Sequence, residues 1–279
     1  MGVVYPVSPY IRGATLDDKP RILKLVEHTW SWGDYIPSVL DDWLTRDNSR
    51  VFVCISGDEL VGMVHLSVEG RGLGWLEGAR VALHHRNKGI ATMLATHVVE
   101  YASNMGLSKL RLAVSVNNKP SIRHVEKVGF RAVKTFKRVS TNTSVINPLA
   151  STRKLVEDEV STALTSRVYD LYGGLYYKSF RWLDLDADTL TRLSLTGRAF
   201  WVNKTLLIHS SEYDDDDGRR VAEIGYTQPD GNFPLEDFLS IFALRVFSKV
   251  DLILPEELEL LVDGFNEEGE RFIVFERTL

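Results

Sequence analysis

Apolar residues along the first half of the chain change period repeatedly, and each change marks a new element. Tyr10-Ile-Arg12 reads as a short strand, and Thr15-Leu-Asp-Asp18 has the form of a capping box. Ile22, Leu23, Val26 and Trp30 then recur on one helical face, and a second helix is predicted from about Pro37 through Leu40, Trp43 and Leu44. Strands are predicted at Val51–Ile55, Leu60–Val68 and Trp75–Leu83, with Gly57-Asp58 turning the first pair and a glycine-rich stretch from Gly70 to Gly74 preceding the third. The helical period returns with Ile90, Met93, Leu94, Val98, Tyr101 and Ala102. Leu110–Val116 reads as a strand, Lys119–Val128 as a helix, and Gly129-Phe130 as the step into another strand.

The second half follows a polar stretch from Ser140 to Thr152. A helical region is predicted from Arg153 to about Leu171, then a strand at Phe180–Leu185, a helix at Ala187–Leu195, and strands at Ala199–Ser210 and Arg220–Tyr226 flanking an acidic hairpin tip. A helix at Leu235–Phe247, a strand at Val250–Leu254, a helix at Glu256–Phe265 and a strand at Arg271–Glu276 complete the chain. This tail repeats the strand, helix, strand, helix, strand order that begins at Trp75.

Chemistry concentrates at the end of the Trp75 strand. Val81-Ala-Leu83 is extended, and the turn Arg86-Asn87-Lys88-Gly89 opens the helix of Ile90, Ala91 and Thr92. The first N–H groups of a helix lack intrahelical partners and its dipole favours negative charge, so such a turn can hold a phosphate. Gly89 lets the backbone approach, and Arg86 and Lys88 add positive charge. The spacing fits neither a Walker loop nor a dinucleotide Gly-x-Gly-x-x-Gly. Arg86-x-x-Gly89-x-Ala91 resembles the acetyl-CoA signature of the GNAT superfamily of N-acyltransferases. Asn118-x-x-Ser121-Ile122 with Glu126-x-x-Gly129-Phe130 resembles its second signature, and the two stand in the expected order.

That resemblance implies a mixed-sheet α/β GNAT fold in residues 1–140, a linker at 141–152, and a degenerate, non-catalytic GNAT-like unit at 153–279. In the second unit the corresponding turn reads Gln228-Pro-Asp-Gly-Asn-Phe-Pro234, where a carboxylate and prolines replace basic residues and N–H donors. It further implies acetyl-CoA as acyl donor, held by the strand around Ala79, Arg80 and Val81, by the turn from Arg86 to Thr92, and by Asn118 on the pantetheine arm. The strand carrying Val81 is expected to splay from its neighbour to admit that arm. Glu77 is the candidate general base; it stands four residues before Val81, which on a regular strand means the same side-chain parity. A structural glutamate bonded to an arginine is the alternative, and His65 is a weaker candidate base. The family's acid tyrosine is absent, since Val125 occupies its place.

The aromatic segment Trp30-Ser-Trp32-Gly-Asp34-Tyr35 is expected either to wall the amine acceptor, with Asp34 attracting its ammonium, or to seal helix ends. Asp34-Tyr-Ile-Pro, Asp42-Trp-Leu and Glu77-Gly-x-Arg-Val also resemble the histidine N-acetyltransferase-like branch, which raises a free amino acid or another small amine as acceptor. A protein acetyltransferase and a non-enzymatic acetyl-CoA sensor are the alternatives.

Composition narrows the remaining classes. The 279 residues are 44% hydrophobic and 25% charged, ordinary globular material long enough for two domains. A net charge of −5 argues against broad nucleic-acid binding. No apolar run reaches bilayer length, the first residues lack signal-peptide features, and Pro6 stands where an N-myristoylation signal has Ser or Thr. A cytoplasmic protein without membrane partners is expected, and a homodimer is compatible. The single cysteine, Cys54, belongs to a buried strand. Asp214 to Asp217 lacks the alternating ligands of a calcium loop, His84-His85 reads as a surface pair, and no metal is expected.

Overall fold

The computed structural model describes residues 8–27, 29, 33–70, 72–143, 151–229, 235–244, 246–258 and 266–279. In chain order these form β1 (Tyr10–Gly13), α1 (Lys19–Val26), α2 (Ile36–Thr45), β2 (Ser49–Ser56), β3 (Glu59–Val68), β4 (Leu73–Val81), α3 (Ile90–Asn104), β5 (Lys109–Ser115), α4 (Lys119–Lys127) and β6 (Arg131–Asn142). They continue with β7 (Thr152–Lys154), α5 (Glu157–Ala163), α6 (Arg167–Tyr172), β8 (Leu175–Lys178), β9 (Arg181–Asp184), α7 (Ala187–Leu195), β10 (Ala199–Val202), β11 (Thr205–Asp214), β12 (Arg220–Gln228), α8 (Leu235–Leu244), β13 (Lys249–Pro255) and β14 (Asn266–Thr278).

Two compact units result, and their boundary differs from the expected linker at 141–152. The first comprises Met1–Ala113, Asn118–Arg131 and Phe275–Leu279; the second comprises Val114–Asn117 and Ala132–Val274. Most of β6, expected in the first unit, therefore belongs to the second, and the last residues of the chain belong to the first.

In the first unit β1, β2, β3 and β4 form antiparallel neighbours, β5 joins β4 in parallel, and the end of β14 lies beside β5. The core gathers Ile22 and Val26 of α1, Ile36, Leu40 and Trp43 of α2, and Val51, Val53, Ile55 and Met63 of the sheet. On the other face α3 lies close over β3: a Cβ at Gly62 would come within 2.9 Å of Ile90. Covered on both sides, β3 is buried from Leu60 to Ser67, with His65 and Ser67 the polar side chains in that run. The C-terminal residues are fixed by an Arg111–Glu276 ion pair at 2.7 Å, by Leu279 N–H donating to Ser108 O at 3.0 Å, and by the Arg277 guanidinium donating to Val128 O.

In the second unit the sheet order is β6-β13-β12-β11-β10-β7, with β8 and β9 as a separate hairpin. The antiparallel set β10, β11 and β12, followed by α8 and then by β13 parallel to β12, repeats the arrangement of β2, β3 and β4, α3 and β5. A mixed α/β GNAT fold in tandem is what the chain adopts. The predicted single strand Ala199–Ser210 is two strands, because Asn203 takes a left-handed φ of 51° and turns the chain. The predicted helix from Arg153 begins instead as β7 and is later divided at Ser166, whose hydroxyl caps α6 by accepting from Tyr169 N–H. Asp230–Pro234, most of the altered turn, and 259–265, most of the predicted helix after β13, lie outside the described residues.

Candidate active site

The β3–β4 ladder carries one irregularity that decides where side chains point. Partners run His65↔Glu77 and next Met63↔Arg80, so Val64 faces both Gly78 and Ala79. This is a bulge on β4. Gly78 sits at φ 66°, and a Cβ there would lie 2.7 Å from the Trp43 ring, so glycine meets both the backbone and the space requirement. The inserted residue reverses the alternation, so Glu77 and Arg80 share a face while Val81, opposite Gly62, takes the other. The expected common parity of Glu77 and Val81 is therefore corrected.

Glu77 is mostly buried, with 11% of its side chain exposed, and its Oε1 lies 3.2 Å from His65 Nδ1. His65 is 1% exposed, and its Nε2 lies 2.7 Å from Ser49 Oγ, which donates to Trp43 O at 2.7 Å. The imidazole stacks on Trp43 with centroids 4.0 Å apart and planes 10° from parallel. The residue treated as a weaker candidate thus stands directly beside the stronger one. The Ser49 partnership spans 16 residues and joins two strands, so nothing local in the sequence announces it.

Beside this pair, Asp34 engages Arg80 through Nε at 2.8 Å and Nη2 at 3.1 Å, and also accepts from Ile36 N–H at 3.1 Å. This corrects one expectation: Asp34 is a neutralised partner of Arg80 rather than a free anion for an ammonium. Arg80 also lies 5.6 Å from the centre of the Tyr35 ring. The Tyr35 hydroxyl is pushed up to about 12, first by burial and then by the Glu77 carboxylate, although 41% of the residue's surface reaches solvent. Trp30 and Trp32 lie outside the described residues.

Below the bulge, the parallel ladder between β4 and β5 is confined to Leu73↔Lys109, Gly74↔Leu110 and Trp75↔Arg111. β4 runs on to Val81 without that partner, leaving the expected splay. A short 3-10 turn at Leu83–His85 follows, then the exposed Arg86, Asn87, Lys88 and Gly89. Gly89 is the N-cap of α3 at φ 84°. The first bond of the helix is Met93 N–H to Gly89 O at 3.0 Å, so the N–H groups of Ile90, Ala91 and Thr92 are first-turn donors without intrahelical acceptors. A Cβ at Gly89 would meet nothing within 4 Å. Open space before a donor-rich helix start suits a diphosphate, and Arg86 and Lys88 supply charge at its edge.

Asn118 caps α4 by accepting from Ser121 N–H at 3.2 Å, so its carboxamide oxygen has a structural duty. Val125 is buried and brings no proton donor. Burial lowers the neighbouring His124 imidazole, assisted by Lys127 and opposed by its bond to the Ala91 backbone, a contact that ties α4 to the start of α3. Cys54 is buried, and burial pushes its thiol up, away from nucleophilic use.

Elsewhere, His84 and His85 converge on Glu59 at 3.0 and 3.6 Å. One ligand atom from each of these three residues lies within 4.8 Å of the others at the surface. At the acidic hairpin tip Asp215 pairs with Arg219 at 2.8 Å. No helix among the described residues is long and apolar enough to cross a membrane.

Residues 19–130 match the sequence profile of the acetyltransferase (GNAT) family. The match is confined to this segment, which is less than half of the 279 residues. No curated protein matches the sequence. Among solved structures, a candidate acetyltransferase from Thermoplasma acidophilum is similar over 97% of this chain and 100% of its own, with a TM-score of 0.64 at 14% identity. A GCN5-related N-acetyltransferase from Sphaerobacter thermophilus aligns over 97% of this chain and 95% of its own, with a TM-score of 0.60 at 13% identity. One from Kribbella flavida covers 100% of this chain with 73% of its own length, with a TM-score of 0.55 at 14% identity. At such identity these likenesses speak for the fold.

Proposed function

We propose that the protein moves the acetyl group of acetyl-CoA to a primary amine, a small molecule or free amino acid. The observation that carries this reading is the course of one strand. β4 presents the mostly buried carboxylate of Glu77 at its bulge, loses its parallel neighbour after Trp75, and ends at the exposed N–H cradle of Gly89. Acetyl-CoA supplies the activated thioester when bound.

The chain's own residues then have separable tasks. The N–H groups from Gly89 to Thr92, with Arg86, Asn87 and Lys88, hold the diphosphate. The main chain of Ala79, Arg80 and Val81 lines the splay, where its N–H groups meet the thioester carbonyl and stabilise the charge that develops there. The Asn118 amide group faces the pantetheine arm while its oxygen caps α4. Glu77 receives the proton that the amine gives up. Tyr35, protonated at neutral pH, offers a hydroxyl beside Glu77. With Val125 in place of a tyrosine, the departing thiolate takes its proton from solvent.

Similarity to the histidine N-acetyltransferase-like branch favours an amino-acid acceptor. The test is to incubate the protein with acetyl-CoA and a mixture of metabolites and peptides, reading new acetyl masses and free thiol. Acetylation of a small amine supports the proposal. Acetylation confined to peptides points to a protein acetyltransferase, and acetyl-CoA binding without thiol release for any amine points to a sensor.

A further inference from the structure

Hydrogen counting around Ser49 determines the protonation of the site. The hydroxyl has one hydrogen, and Trp43 O, 2.7 Å away, can only accept, so that hydrogen points to Trp43. Ser49 Oγ must therefore accept in its 2.7 Å contact with His65, which requires a proton on Nε2. The other ring nitrogen, Nδ1, faces Glu77 Oε1 at 3.2 Å. With a neutral ring and an ionised carboxylate, two lone pairs would confront each other in a mostly buried place. A second proton, on Nδ1 or on Oε1, turns the contact into a hydrogen bond.

We propose that His65 and Glu77 hold this extra proton in common, and that His65 is the positioning residue that sets the pH at which Glu77 can accept a proton from the acceptor amine. The chemical consequence rests on the acetyl-transfer reading; the shared proton does not. The groups facing the pair support it. Trp43 presents its ring face to the imidazole, an arrangement that favours a cation, while Tyr35 lies near the carboxylate and Arg80, on the same face of β4 as Glu77, is already neutralised by Asp34. Glu77 bound to a protonated imidazole is a weak base. The pair loses its proton to solvent first; then, as the amine nitrogen bonds to the acetyl carbon and the carbon–sulfur bond breaks, the amine's proton passes to Glu77 and the thiolate takes one from water.

Two measurements test the pair. Nitrogen-15 NMR of histidine-labelled protein at pH 7, without acetyl-CoA or acceptor, reads the His65 ring, and carbon-13 labelling of glutamate reads Glu77. The resonances are assigned by their loss in His65→Gln and Glu77→Gln. A doubly protonated ring, or a neutral Nε2–H ring with a protonated Glu77, is expected; a neutral ring beside an ionised Glu77 would overturn the proposal. In Glu77→Gln the amide N–H donates to Nδ1, and the ring should become neutral with its proton on Nε2. In turnover, His65→Gln should move the acidic limb of the kcat profile down by about one to two pH units, since the remaining carboxyl no longer shares a proton with an imidazole. A lower rate with an unmoved limb would reduce His65 to a packing residue. Should no amine react at all, the acetyl-transfer reading fails while the NMR result on the pair stands.

Discussion

Asp34 and Arg80, 46 residues apart, form a two-pronged ion pair in which the carboxylate side chain is 1% exposed and the guanidinium 12%. The pair fastens the segment before α2 to the bulged end of β4, so the loop that carries Tyr35 is held against Glu77. Removing one partner leaves the other charge buried. Asp34→Ala should therefore lower the unfolding free energy by about 3 kcal/mol in denaturant titrations, and Arg80→Met in the same background should return most of that loss. Equal destabilisation by the single and the double change would show that the loop, not the pair, was lost.

Gly89 occupies the left-handed region with open space in front of it. Gly89→Val should cost about 1–2 kcal/mol of backbone strain, place its side chain where the diphosphate belongs, and abolish acetyl-CoA binding by calorimetry while circular dichroism stays near wild type. Unchanged affinity would refute the cradle.

Glu77→Gln keeps the size of the side chain and removes its basicity. Turnover should fall by roughly 100-fold with little change in acetyl-CoA affinity. A wild-type pH profile in this variant would remove Glu77 from the reaction.

Asp18 is 4% exposed and sits at about 2, below its ordinary 3.8, chiefly because the Arg12 guanidinium donates to it. A carboxyl lowered by folding contributes stability above its unfolded value and loses it as pH falls through the folded one. Asp18→Asn should cost about 2 kcal/mol at pH 7, and the deficit should shrink between about pH 4 and pH 2. Thermal melts across that range check it; a deficit constant in pH would assign the loss to packing.

The residues Phe275–Leu279 complete the first unit beside β5 and reach α4 through Arg277 and Val128. Deleting them should destabilise the first unit and remove acetyl-CoA binding, although they lie far in sequence from the Gly89 turn. A chain ending at residue 140 should likewise fail to give a stable fold. Cooperative melting and intact cofactor binding in either truncated protein would contradict the assignment of this segment.

How much could be read without coordinates depended on whether the signal was local. The Gly89 turn, the helical period after Ile90 and the helix that begins at Lys119 arise from neighbouring residues, and they appear where the sequence predicts them. Glu77 was named as the base candidate on a parity argument that assumed a regular strand. The bulge at Gly78 invalidated that argument and supplied Glu77 with different neighbours. Asp34, expected to attract an ammonium, instead binds Arg80, a partner 46 residues away that no local pattern indicates.

Sequence alone placed the glycine turn before Ile90, the helix that follows it and most strands of the first half, since dihedral preference and periodicity act over a few residues. Tertiary structure alone decided which strand closes each unit, which face of β4 carries Glu77, and that Ser49 and Trp43 dictate the proton on His65. Those outcomes depend on strand register and on which buried donors meet which acceptors. Such pairings are made between segments tens of residues apart, where no local pattern records them.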